Sequence, residues 1–170
     1  LLAGKGRYGD VYVQGSMRTN SVLTYILLTL QHLGYEIKEI ETLTGNKKVK
    51  DPVEVSNENF FGVKFEKTKI DTLLLKGELE YDFKDKGLNI KTDKGDIIVE
   101  FDPKRFRPAD VPILLSNTRK IQQIGFKTTR SLLDIIRDQI NYYLNPENRM
   151  QVRWFSTLYM RYVHAGCKIS

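Results

Sequence analysis

The sequence predicts a mixed chain, α/β to α+β, of one domain or part of a larger one. Three observations lead there. A β-branched and aromatic run, Val11-Tyr12-Val13, precedes apolar residues at helical spacing: Val22, Leu23, Ile26, Leu27, Leu30 and Leu33. Alternating stretches with charged gaps follow at 35–40 and 61–65, and a strong strand at 97–101. A closing run places Leu132, Leu133, Ile135, Ile136, Ile140 and Tyr143 on one side of a helix.

The elements come in this order. Leu1-Leu2-Ala3 reads as a helix end. Gly4-Lys5-Gly6-Arg7-Tyr8-Gly9 follows, a literal G-x-G-x-x-G. A dinucleotide fingerprint needs a strand before these glycines and a helix after them. Here a strand over 10–15 follows instead, so no helix N-terminus is offered to a pyrophosphate. A protein-kinase loop needs V-A-I-K, H-R-D and D-F-G as well, and none is present. The glycines therefore read as a helix-to-strand turn that uses positive φ. Asn20-Ser21 caps the helix over 22–33, Gly34 closes it, and residues 35–40 form the next strand.

Residues 44–95 read as a β-rich antiparallel insertion, with strands at 61–65, at Leu73-Leu74-Leu75 and through Leu79, Tyr81 and Phe83. Its Lys and Arg number 11 and its Asp and Glu 10, which argues against a nucleic-acid or membrane role. Ile97 to Phe101 is a strong strand, and a three-proline charged loop runs from Asp102 to Pro112. Ser116-Asn117 caps a short helix ended by Gly125-Phe126. Thr128-Thr129 caps the last helix, and Asn145-Pro146 stops it. The organisation is then 1–43 strand and helix, 44–95 insertion, 96–146 loop and helices, and 147–170 a basic aromatic tail.

Composition narrows the function classes. The apolar content of 41% suffices for a packed core. The longest apolar stretch is broken by Thr24, Thr29, Gln31 and His32, so no span crosses a membrane. No signal peptide is read, and the lack of a first Met is expected of an internal piece of a longer protein. One cysteine, Cys167, fits a reducing, cytoplasmic compartment. The net charge of +6 permits a polyanion, but the body offers no basic stripe interleaved with aromatics, so no nucleic-acid partner is expected. The tail concentrates the charge, with Arg149, Arg153, Arg161 and Lys168 against Glu147. Its Trp154, Leu158, Arg161 and Tyr162 recur at helical spacing, as expected of a packed helix or oligomer contact; a basic amphipathic surface helix is the alternative. His164 and Cys167 are two ligands, too few for a metal site, and His32 has no partner in view.

Arg107 and Asp110 carry the chemistry that the residues themselves suggest. Pro108 between them fixes φ in a loop that leaves a strand. A guanidinium there suits a bidentate phosphate, and a carboxylate suits a sugar hydroxyl.

The stretch IIVEFDPKRFRPADVPILLSNTRKIQQIGFKTTRSLLDIIRDQINYYL resembles the C-terminal part of nucleotide-sugar enzymes of the extended short-chain dehydrogenase/reductase family. It has a DP-x-x-x-RP-x-[DE]-V loop, an N-x-x-K helix start, a G-[WF]-K turn and a closing helix. GDVYVQGSMRTNSVLTYILLTL is similar to that family's G-x-V-Y-N-x-G-S-G strand-turn-helix. The resemblance covers residues 1–43 and 87–145 and is nearest to GDP-mannose 4,6-dehydratases and GDP-4-keto-6-deoxymannose reductases, with UDP-sugar 4-epimerases as a further alternative.

The resemblance implies the C-terminal substrate-binding lobe of a Rossmann-type enzyme. It implies a nucleotide-sugar ligand, a GDP-sugar above all, and NADP or NAD bound by an N-terminal Rossmann domain outside this chain. The family chemistry is oxidation at the sugar C4, water loss across C5–C6 and return of the hydride. Arg107 matches the arginine on the substrate diphosphate, and Asp110 the acid on the nucleotide's sugar or base. Ser16 and Arg18 match a turn near the substrate, although Val13 and Met17 replace the usual asparagine and glycine there. Ser21 matches a helix cap. None of the nine tyrosines has Lys four residues on, so the catalytic Tyr-x-x-x-Lys is absent, as is the cofactor fingerprint. Catalytic and cofactor-binding residues are thus expected elsewhere, and a homo-oligomer is expected. The rival expectation is a stand-alone binding module derived from such a lobe. The 44–86 stretch is longer than the family loop.

Overall fold

The computed structural model describes residues 1–60, 63–105, 111 and 113–148. Trp154, Tyr159, His164 and Cys167, with nearly all the tail, lie outside the described residues. Two compact units divide at Thr129 and Arg130.

The first unit is a mixed α+β body. A short helix α1 (Leu2–Lys5) and the helix α2 (Val22–His32) precede four strands, β1 (Ile37–Thr42), β2 (Lys48–Lys50), β3 (Val55–Phe60) and β4 (Val63–Thr68). Helix α3 (Lys69–Lys76) leads to β5 (Gly87–Thr92) and β6 (Gly95–Glu100), and α4 (Arg119–Gln123) completes the unit. Strands β2-β1-β5-β6 form one antiparallel sheet, and β3-β4 form a separate hairpin. The sheet therefore takes strands from both sides of residues 44 and 95.

The core lies on one face of that sheet. Val49, Ile40, Ile90 and Ile97 stand in register across its four strands. Leu27 of α2 and Ile70 of α3 close over them, and Ile40, Ile90, Leu27 and Ile70 are all fully buried. Ile37 and Ile40 are three apart yet share this face. Lys38 is the reason: β1 pairs Ile37 with Thr92 and Glu39 with Lys91, so Lys38 is the extra residue of a bulge.

The other face carries a charge ladder. Lys91 Nζ donates to Glu39 Oε1 and Glu41 Oε2, each at 3.0 Å, and Lys48 Nζ lies 3.4 Å from both. The Lys91 hydrogen bonds hold both carboxyls below their usual range and raise the Lys91 ammonium above its own. Asp85 is lowered as well, by the Lys47 ammonium at 2.7 Å and then the Asp82 backbone N–H. A depressed carboxyl contributes stability above its unfolded pKa and loses it as pH falls through the folded one. Urea midpoints should hold level near neutrality and decline below about pH 4, the ordinary carboxylate value. Lys91 gives the mirror case, with its contribution lost above about pH 10, the ordinary lysine value. A midpoint indifferent to acid would contradict this coupling.

Three expected strands do not form. Residues 10–15 form no strand. Val11-Tyr12-Val13 has the propensity but no partner ladder among the described residues, and a strand exists only by pairing. The Tyr12 hydroxyl instead accepts from the Arg7 N–H at 3.0 Å, and Lys120 sits over its ring and 3.3 Å from Asp10. In the glycine turn, Gly9 takes the left-handed φ of 78°. Leu73-Leu74-Leu75 lies in α3, capped by Thr68, which accepts from the Asp71 N–H. Leu79, Tyr81 and Phe83 form no strand either. Leu79 is buried and Tyr81 half-buried around an exposed Glu80, which imitates alternation, and a 3-10 turn begins at Phe83.

In the second unit, α5 (Leu132–Leu144) is capped by Ser131 and not by Thr128-Thr129. Ser131 Oγ accepts from the Asp134 N–H at 3.1 Å while Asp134 accepts from the Ser131 N–H at 2.9 Å, a reciprocal capping box. Of the six residues expected inward, Ile136 is buried, whereas Leu133, Ile135 and Tyr143 are exposed. Ser131→Ala should cost about 1 kcal/mol, the usual worth of such a cap, read as a shift in urea midpoint.

Candidate functional site

The site grows from the N-terminus of α2. Ser21 caps it, accepting from the Thr24 N–H at 3.0 Å and donating to Thr24 Oγ1 at 3.1 Å. Thr24 Oγ1 in turn bonds Thr68 Oγ1 at 2.9 Å, where β4 passes into α3. The Ser21 N–H then donates to Asp71 Oδ1 of α3 at 2.9 Å. One carboxylate thus ties the start of α2 to the first turn of α3.

Lys67 lies beneath this junction. Both Lys67 and Asp71 are 2% exposed. The Lys67 ammonium is 4.0 Å from Asp71 Oδ2 and donates to Asn20 Oδ1 at 3.5 Å. Asp71 Oδ2 accepts no hydrogen bond among the described residues. Burial pulls the Lys67 ammonium below the ordinary lysine value. Asp71 opposes that shift and the Arg18 guanidinium adds to it. Water removed from a charge favours its neutral form, and a like charge nearby does the same.

A cavity of about 400 Å³ opens beside the junction. Among the described residues, Thr19, Asn20, Ser21, Asp71, Glu80 and Tyr81 form its polar wall. Leu74, Leu75, Leu79 and Ile113 supply the apolar part. The Tyr81 hydroxyl is pushed up to about 12, by burial first and then by Asp85, so it stays protonated at neutral pH. The recess is partly apolar with hydrogen-bonding groups on one side, a composition that suits a small ligand.

Ser16 and Arg18 are neighbours in the turn before α2, where Ser16 Oγ accepts from the Arg18 N–H at 3.2 Å. Met17 between them takes a left-handed φ of 53°, and its sulfur accepts from the Gln122 amide at 3.3 Å. A methyl group added at Gly15 would overlap the Ser116 side chain. The turn is thereby pressed against the segment that runs into α4, and glycine permits the approach. Arg107 and Asp110 lie outside the described residues.

Sequence reasoning missed Asn20, Lys67, Asp71 and Glu80. One signal was there: Thr68-Lys69-Ile70-Asp71 fits [ST]-x-x-[DE] ahead of an apolar run, the signature of a helix start. Among the described residues no group of His, Cys, Asp and Glu is placed to hold a metal, and no helix is long and apolar enough to cross a membrane. No protein-family model matches the chain, and no curated protein or solved structure matches it at a significant level.

Proposed function

We propose that this chain is the substrate-binding part of a nucleotide-sugar enzyme of the extended short-chain dehydrogenase/reductase type, most like a GDP-mannose 4,6-dehydratase. The observation that carries the reading is a convergence. The two stretches that bear the resemblance are separated by the long insertion, yet they meet in the fold. The Gly15-Ser16-Met17 turn of the first packs on Ser116 and Gln122 of the second. The exposed Val11, Val13, Val111 and Leu114 suit the same reading, since a cofactor-binding domain at the N-terminal side would cover apolar residues of this kind.

In this reading Arg107 holds the diphosphate and Asp110 the nucleoside end. Ser16 and Arg18 shape the turn beside them. NADP or NAD belongs to the partner domain, as do the acid/base residues. The chain's work is positioning: binding energy from the non-reacting end of the substrate aligns the sugar with chemistry supplied elsewhere. The setting is cytoplasmic.

Calorimetry of the whole chain with GDP and GDP-mannose tests this. Binding is expected, and Arg107→Ala should weaken it by about 2–3 kcal/mol, the scale of a lost charge-assisted hydrogen bond. Unchanged affinity in that variant, or no binding by the parent chain, would overturn the assignment.

A further inference from the structure

We propose that the open edge of β6 takes up an extended, basic segment of a partner protein as an added strand of the sheet. This edge owes nothing to the nucleotide sugar proposed above.

β6 ends the sheet, and no strand pairs with its outer side among the described residues. The Phe101 N–H donates to the Lys86 carbonyl at 3.0 Å. The same phase pairs Val99 with Leu88 and Ile97 with Ile90. Hydrogen-bonded and open pairs alternate along an antiparallel ladder. The N–H and C=O groups of Asp96, Ile98 and Glu100 therefore point away from β5. All three residues are exposed, Ile98 by 60%. Such a row of main-chain groups is a template for another strand, and sheets protect it with short strands, lysines, prolines and bulges. The opposite edge has that protection, since β2 is three residues long and carries Lys48 and Lys50. β6 is six residues long, without lysine or proline, and its register with β5 is unbroken.

Charge selects the occupant. Asp96, Ile98 and Glu100 share one face of the strand. Asp96 accepts from the Asn89 amide at 2.8 Å. Lys91 stands opposite Asp96 but is held by Glu39 and Glu41, and Gly87 opposite Glu100 has no side chain. Lys94 in the turn lies over the Tyr35 ring. The edge is thus acidic at both ends, with an isoleucine between. A second copy of β6, antiparallel about Ile98, would set Asp96 against Glu100 twice, and like charges directly opposite are destabilising. β2 of a second copy is too short to fill the row. A strand with basic residues two positions either side of an apolar one meets both acids and covers Ile98. Its alternate residues extend the apolar face beyond the half-buried Ile97 and Val99. Main-chain bonds then supply affinity and side chains supply choice, as when other peptides join a sheet edge.

The probe is a fluorescein-labelled peptide, Thr-Lys-Val-Val-Val-Lys-Thr, titrated with the whole chain and read by anisotropy. Binding is expected, and it should weaken as salt rises. Glutamate in place of both lysines should weaken it about 10-fold, as two attractive cross-strand pairs become repulsive. N-methylation of the central valine removes the ladder donor opposite Ile98 and should abolish binding. Ile98→Pro removes the chain's own donor at a position where an edge strand tolerates proline. It should abolish binding and leave the circular dichroism unchanged. Glu100→Lys should weaken the lysine peptide about 3-fold, the scale of one cross-strand charge pair, and restore part of the glutamate peptide's loss. Affinity indifferent to N-methylation and to Ile98→Pro would overturn the proposal, as would no binding by the folded parent. If sedimentation finds a dimer that Ile98→Pro makes monomeric, a second copy occupies the edge and the proposal fails. If Ile98→Pro unfolds the chain, Glu100→Lys decides alone, and a lysine peptide that it leaves unaffected overturns the proposal.

Discussion

Asp71→Ala should cost the fold about 3–5 kcal/mol, the scale seen when one partner of a buried ion pair is removed. Two losses combine. The Lys67 ammonium keeps its buried position, 2% exposed, without the carboxylate that favours its charged form. The half-buried Ser21 N–H loses its acceptor at the start of α2, and a donor left without a partner adds to the cost. For a domain with a total stability of about 5–15 kcal/mol, this leaves little margin. Replacing both partners separates the causes. Lys67→Met with Asp71→Leu removes both charges and leaves the Ser21 N–H and Asn20 Oδ1 without these partners, so the double variant should recover much of the loss. Urea unfolding at neutral pH reads both variants. If Asp71→Ala stays within 1 kcal/mol of the parent, the junction is not the tie described above.

Helix α2 was legible in the sequence because independent signals agreed. Asn20-Ser21 supplied a cap, six apolar residues kept helical spacing, and Gly34 followed with the left-handed φ of 86°. Helix α3 was not, because Leu73-Leu74-Leu75 is a short apolar run, and such runs fit strand and helix equally. The Thr68 cap, the first-turn Asp71 and the Gly77 stop decide it, but they lie at its edges. Val11-Tyr12-Val13 failed for the opposite reason. Its strand propensity was real, while pairing depends on a partner that local sequence does not specify.

The same limit governs the site. Ser16 and Arg18 were named from a motif in which they are close along the chain. Asp71 and Ser21 are 50 residues apart, and no spacing rule links them. The contact exists because β4 delivers the start of α3 to the start of α2. A carboxylate in the first turn of α3 then meets the open backbone donors of a neighbouring helix, where negative charge is favoured. Local sequence explains why each helix begins where it does, and tertiary packing alone brings the two beginnings together.

Ile40→Ala should be the most damaging apolar truncation in the sheet, at about 3–4 kcal/mol, within the range for removing most of a buried isoleucine. Ile40 is fully buried in β1, with Val49 on one side and Ile90 on the other, and Leu27 of α2 belongs to the same cluster. Neighbours on both flanks and above restrict collapse into the space, so transfer and cavity costs both apply. Ile40→Val removes one methylene and should cost about 1 kcal/mol. The effect should reach the cavity as well, since Leu74 and Leu79 belong both to this core and to the cavity wall. Ile40→Val stays folded, so urea unfolding reads its cost directly: a midpoint shift near that of one methylene is expected, and a variant indistinguishable from the parent would mean that the packing around Ile40 relaxes to fill the space.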